Sequence, residues 1–218
     1  MEIDSLINKT IAFVQSKLKE FDGGHDWFHT ERVWKLAKSI CAKENAGNLL
    51  IIELAALLHD IADSKFHDGP ESLGGDMAYD FMINEGVNKE SATHVREIIN
   101  QMSFKSRMTE KSISSIEFQI VQDADRIDAI GAIGIARAFN YGGFKNRAIY
   151  DPEKPLQEYS TIEAYKKSDA PTINHFYEKL FLLKNLMNTE TGKAMAEERH
   201  LYMEEFVKRF MKEWDGKA

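Results

Sequence analysis

An all-α fold is predicted from three observations. Apolar residues recur with helical period along nearly the whole chain. No strand-like alternation lasts more than a few residues. One segment, Leu49–Ile61, is apolar almost all round, as expected of a central helix buried on every side.

The elements follow in order. Ile3, Leu6, Ile7, Ile11, Val14 and Leu18 share one stripe of a first helix, closed by Gly23-Gly24. A second helix is expected from about Asp26 to Asn45, with Trp27, Val33, Leu36, Ala37 and Ile40 facing inward. Asn48 caps the third, Leu49–Ile61, and places His59 and Asp60 where helix gives way to loop. Gly69-Pro70 marks a break. Helices at about 72–85 and 88–102 follow, divided by Gly86 and capped by Asn88. Residues 103–110 read as a loop. A helix over 112–128 continues or kinks into 130–139, where Gly131 and Gly134 allow another helix to come close. Residues 141–171 hold three of the four prolines and read as an irregular flap or surface layer. Within them Ser160-Thr161-Ile162-Glu163 forms a capping box. Two long helices, about 172–187 and 190–214, close the chain. The expected organisation is one domain over 1–218, with its core at about 20–140 and C-terminal helices over 172–214.

Composition narrows the function. At 218 residues the chain is long enough to bury a substantial core. No stretch is apolar for the roughly 18–20 residues that a membrane-spanning helix needs. The start, Met1-Glu2-Ile3-Asp4, lacks the basic opening and apolar centre of a secretory signal. Cys41 is the only cysteine, which excludes an intrachain disulfide and a cysteine-rich zinc site. The cytoplasm is the expected compartment. A net charge of -7 disfavours a general nucleic-acid surface, although a few well-placed cations still suffice for phosphate. The pattern is compatible with a homodimer without requiring one.

The chemistry is carried by His59-Asp60, with His29 upstream and Asp125 downstream. Two imidazoles and two carboxylates make a mixed donor set. It suits Mn²⁺, Fe²⁺, Co²⁺, Ni²⁺ or Zn²⁺, and suits Mg²⁺ less well. On a helix Asp63 would share a face with His59 and Asp60. Each residue also has a plainer reading. His59 can end a helix, His29 can be an interior hydrogen-bonded histidine, and Asp125 can pair with Arg126 or cap the next helix. Asp68 can open the turn at Gly69-Pro70, and Lys65 can be a surface lysine.

The ordered set His29, His59-Asp60, Asp125 resembles the H…HD…D signature of the HD superfamily of metal-dependent phosphohydrolases. The likeness extends to Gly24–Val33, to Asp123–Gly134 and to His175–Leu180, and is similar to the YedJ/YpgQ-like subgroup over nearly the full length. The resemblance implies an HD-domain helical bundle with one divalent metal, Mn²⁺ favoured, held by His29, His59, Asp60 and Asp125. It implies a small-molecule nucleotide substrate. The leading expectation is a nucleoside triphosphate pyrophosphatase that releases a nucleoside monophosphate and pyrophosphate. The alternatives are a 5'-nucleotidase-type phosphomonoesterase and a non-catalytic nucleotide-sensing module. In related single-metal nucleotidases, carboxylates four and nine residues after the motif histidine serve the chemistry. Those places hold Asp63, where relatives often carry the longer glutamate, and Asp68. Two-metal relatives add histidines after the central motif. Here His94 is the one obvious counterpart, which favours a single metal. Lys65, His25, Lys105 and Arg126 are the candidates to contact phosphate.

Overall fold

Helices supply the regular structure of this protein. The computed structural model describes residues 2–18, 26–62, 72–102, 114–157 and 168–217, and no strand occurs among them. The chain divides into two compact units, Met1–Asp125 and Arg126–Ala218.

The first unit is built around a helix with almost no polar face. Asn48 opens it by accepting the backbone N–H groups of Leu50 and Ile51 on its side chain. α1 (Ile3–Leu18), α2 (Trp27–Glu44), α4 (Leu73–Asn84) and α5 (Lys89–Met102) all pack against this α3 (Leu49–Leu58). Every residue of α3 from Ile51 onward is buried. Each enclosed Leu or Ile contributes about 1.5–3 kcal/mol relative to exposure. Glu53 is the polar exception and is satisfied. Trp34 Nε1 donates to it at 3.0 Å and Lys38 Nζ lies 2.9 Å away.

α3 stops at Leu58, three residues short of the expected Ile61, and 59–62 form turns. The His59 ring occupies the Ala56 carbonyl at 2.9 Å, an acceptor that a continuing helix would give to residue 60. Between α4 and α5 the chain reverses through Gly86, whose φ of 82° suits glycine. Gly75 lets α4 and α5 approach, since a Cβ there would meet Asn100 Oδ1 at 2.2 Å. α6 (Ile116–Asp128) begins four residues later than Ser112, because the Ser115 hydroxyl caps it by accepting the Phe118 N–H at 3.2 Å. The loop expected over 103–110 lies outside the described residues. So do Gly23-Gly24, Gly69-Pro70 and the 160–163 capping box.

In the second unit α7 (Gly131–Phe144) packs on the long α9 (Glu190–Trp214). Gly131 has φ +76°, and a Cβ there would lie 2.9 Å from Arg199 of α9, as expected of a close helix contact. Gly134 differs. Its missing side chain makes room for the Ala129 carbonyl of the preceding turn, not for another helix. α7 runs five residues past the expected 139, so the irregular excursion begins after Phe144. Gly142 accommodates the Thr172 hydroxyl there. The single helix expected over 172–187 is two pieces, a short α8 (Asn174–Glu178) and a 3₁₀ helix, Leu180–Leu186. The three-residue period of the 3₁₀ turn puts Leu180 and Leu183 inward together, both buried. Phe176 is fully enclosed and stacks with Phe206 at 5.9 Å. No described helix is long and apolar enough to cross a membrane.

Candidate metal centre

Three helix ends bring four side chains of the first unit together. His29 stands in the first turn of α2, where Asp26 accepts its backbone N–H at 2.8 Å and so fixes the start of the helix. His59 is the residue at which α3 ends, and Asp60 follows in the turn. Asp125 comes from the last turn of α6.

The distances are short. His29 Nε2 lies 3.5 Å from Asp60 Oδ2 and 3.5 Å from Asp125 Oδ1. His59 Nε2 lies 3.6 Å from Asp60 Oδ2 and 4.0 Å from Asp125 Oδ1. The two rings meet edge to face with centroids 5.4 Å apart. Both histidine side chains are nearly enclosed, at 2% and 3% exposure, whereas Asp125 is 39% exposed and forms the open side of the cluster.

The arrangement fits a divalent cation on three counts. First, only an N–H can approach a carbonyl at hydrogen-bonding distance, so the contact with Ala56 places the His59 proton on Nδ1. The lone pair of Nε2 then faces the cluster, and this buried atom has no hydrogen-bond partner among the described residues. Second, donors about 2.1 Å from a common ion are about 3.0 Å apart at right angles and about 4.2 Å apart when opposed. The observed separations fall in that range. Third, two neutral imidazoles and two carboxylates carry two negative charges, which a divalent cation cancels. His29, His59 and Asp125 each offer a ligand atom within 4.8 Å of the others.

Two other candidates are engaged elsewhere. The Arg126 guanidinium donates to the Leu186 carbonyl within the second unit. His94 is engaged with the Ser115 hydroxyl at 2.9 Å. Asp63, Lys65, Asp68, His25 and Lys105 lie outside the described residues. Sequence reasoning did not assign the two groups that orient the histidines, the Asp26 carboxylate and the Ala56 carbonyl. The first carried a signal, an aspartate three residues before His29 at a helix start. The second is a backbone atom and has none.

Comparison with known proteins places this geometry in context. The family model described as HD domain matches residues 27–130. YpgQ of Bacillus subtilis, called an uncharacterized protein, is 44% identical over 206 residues, covering 94% of this chain and 92% of its own. Among solved structures, an HD-superfamily hydrolase from Bacillus thuringiensis superposes with a TM-score of 0.79 at 45% identity, covering 98% of each chain. The crystal structure of B. subtilis YpgQ in complex with ADP gives a TM-score of 0.75 at 37% identity, over 97% of this chain and 100% of that one.

Proposed function

The chain belongs to the HD-domain family and is a metal-dependent hydrolase, and on that premise we propose that it hydrolyses nucleoside triphosphates to a nucleoside monophosphate and pyrophosphate. The observation that carries this reading is the meeting of His29, His59, Asp60 and Asp125, with the His59 Nε2 lone pair turned into the cluster. The ADP bound to YpgQ supports a nucleotide as substrate. Abundant nucleotide and the single thiol of this chain both accord with the cytoplasm.

In this reading the four side chains would hold one divalent cation, with imidazole donors beside the carboxylates favouring a transition metal over Mg²⁺ and the family resemblance favouring Mn²⁺. Such a cation polarises a phosphoryl oxygen and acidifies water. The two imidazoles act as neutral donors, and the Ala56 carbonyl keeps the His59 tautomer correct for that task. Asp125, on the exposed side, borders the space a phosphate would enter. A water oxygen attacks the α-phosphorus as the bond to the bridging α,β oxygen breaks. Pyrophosphate leaves, and the water proton passes to Asp63 or Asp68. Lys65, His25 and Lys105 are the proposed partners of the phosphate charge, while the Arg126 guanidinium is engaged by the Leu186 carbonyl.

The test is chelation followed by add-back of Mn²⁺, Mg²⁺, Co²⁺, Ni²⁺, Fe²⁺ or Zn²⁺ with a panel of ribo- and deoxynucleotides, measuring pyrophosphate and orthophosphate separately. Pyrophosphate from triphosphates under Mn²⁺ is expected. Orthophosphate from monophosphates would replace the proposal with a phosphomonoesterase. Binding without turnover under every metal would make it a sensor.

A further inference from the structure

We propose that Glu117 is a positioning residue for the metal centre, acting from the far ends of the two helices that carry three of its four ligands. The inference rests on the reading of His29, His59, Asp60 and Asp125 as a metal site.

α3 delivers His59 and Asp60, and α6 delivers Asp125. The two helices touch at their starts as well as at the ligands. At the starts, the backbone N–H of Asn48 donates to Glu117 Oε1 at 2.8 Å. A Cβ at Gly47 would lie 3.4 Å from Ile116 and 3.6 Å from Glu117 Oε1. At the other end His59 and Asp125 are 4.0 Å apart. Start meets start and ligand meets ligand, so the helices run in the same direction. Along α3 the span from Asn48 to His59 is about 16 Å, and along α6 from Glu117 to Asp125 about 12 Å. Helices resist axial compression, so a shift of one start along its axis reappears at the ligand.

Glu117 is the polar group joining the two starts. Its carboxylate is 13% exposed. One oxygen takes the N–H of the residue that caps α3. The other lies 4.0 Å from His94 Nε2 of α5. His94 shares a 2.9 Å hydrogen bond with the hydroxyl of Ser115, which caps α6. The cap of α3 therefore meets this carboxylate directly, and the cap of α6 is linked to it through His94 of α5. No ligand side chain is among these groups, so the arrangement acts through helix register.

The experiment compares Glu117→Ala and Glu117→Gln with wild type. Mn²⁺ affinity is measured by titration calorimetry, the Co²⁺ visible spectrum is recorded, and the metal-free proteins are melted. Gln keeps an acceptor for the Asn48 N–H, whereas Ala removes it. Glu117→Ala is expected to weaken Mn²⁺ binding about tenfold, the low end of what loss of an outer partner costs, and to shift the Co²⁺ bands. Glu117→Gln is expected to restore both. Val14→Ala, a core deletion in α1, is the control: it should lower the metal-free melting temperature and leave the affinity alone. Glu117→Ala with a lower melting temperature but wild-type affinity and spectrum would overturn the proposal, leaving Glu117 a purely structural group. Glu117→Gln as weak as Glu117→Ala would also overturn it. Wild type that takes up no Mn²⁺ or Co²⁺ would instead remove the metal-site reading itself.

Discussion

At the scale of single residues, His59 has two duties that depend on each other. Nδ1 ends α3 at the Ala56 carbonyl, and that same bond turns the Nε2 lone pair inward. His59→Ala should remove both the donor and its orientation. At a Mn²⁺ concentration that saturates wild type, calorimetry is expected to show no binding, with the helix content unchanged. Retained binding would mean the ion sits elsewhere. His175, in the second unit, sets an acid limit. Burial, aided by the nearby charges of Lys179 and Arg147, lowers its pKa from 6.5 to about 3. The folded imidazole thus stays neutral while the unfolded one takes a proton near 6.5. Stability is fully present above that value and is lost as pH falls toward 3. His175→Gln should shrink the drop in melting temperature between neutral pH and about pH 4.5. An equal drop in both proteins would contradict the assignment.

At the scale of elements, the ends of helices matter more than their middles. Asn48 caps α3 through two backbone N–H groups and also donates its own N–H to Glu117. Asn48→Ala should cost about 1 kcal/mol in urea denaturation, since the side-chain cap is lost while the backbone donor remains. Gly134→Ala tests a different kind of constraint. The added Cβ would fall 2.3 Å from the Ala129 carbonyl oxygen, an atom fixed in the backbone. A loss of about 1–3 kcal/mol is expected, and a neutral result would show that the 129–134 turn is loosely held.

At the scale of the whole molecule, the proposed ligands all belong to the first unit, Met1–Asp125. An ion bound to the folded state alone stabilises it by mass action, by about 2.7 kcal/mol at a hundredfold excess over Kd. Hydrogen exchange should therefore slow on Mn²⁺ addition around 27–30, 56–60 and 121–125. Slowing confined to the second unit would be inconsistent with the site.

Much of this was legible in the sequence because it is written in local patterns. Helical period, the Asn48 cap and the almost wholly apolar Leu49–Leu58 segment follow from one stretch of chain at a time, and so does the ordered set of His29, His59, Asp60 and Asp125. Boundaries were legible only where a local group sets them. Asn48 starts α3 as read, but α3 ends early because a side chain three residues on takes up a carbonyl. The 172–187 segment breaks at Lys179, whose φ of -143° lies outside the helical range, a departure that no local residue pattern announces. The chain's own letters determined which residues have the chemistry to hold a cation. Only the tertiary structure decided that donors nearly a hundred positions apart stand 3.5 to 4.0 Å from one another, because that distance is set by how α2, α3 and α6 are packed and capped.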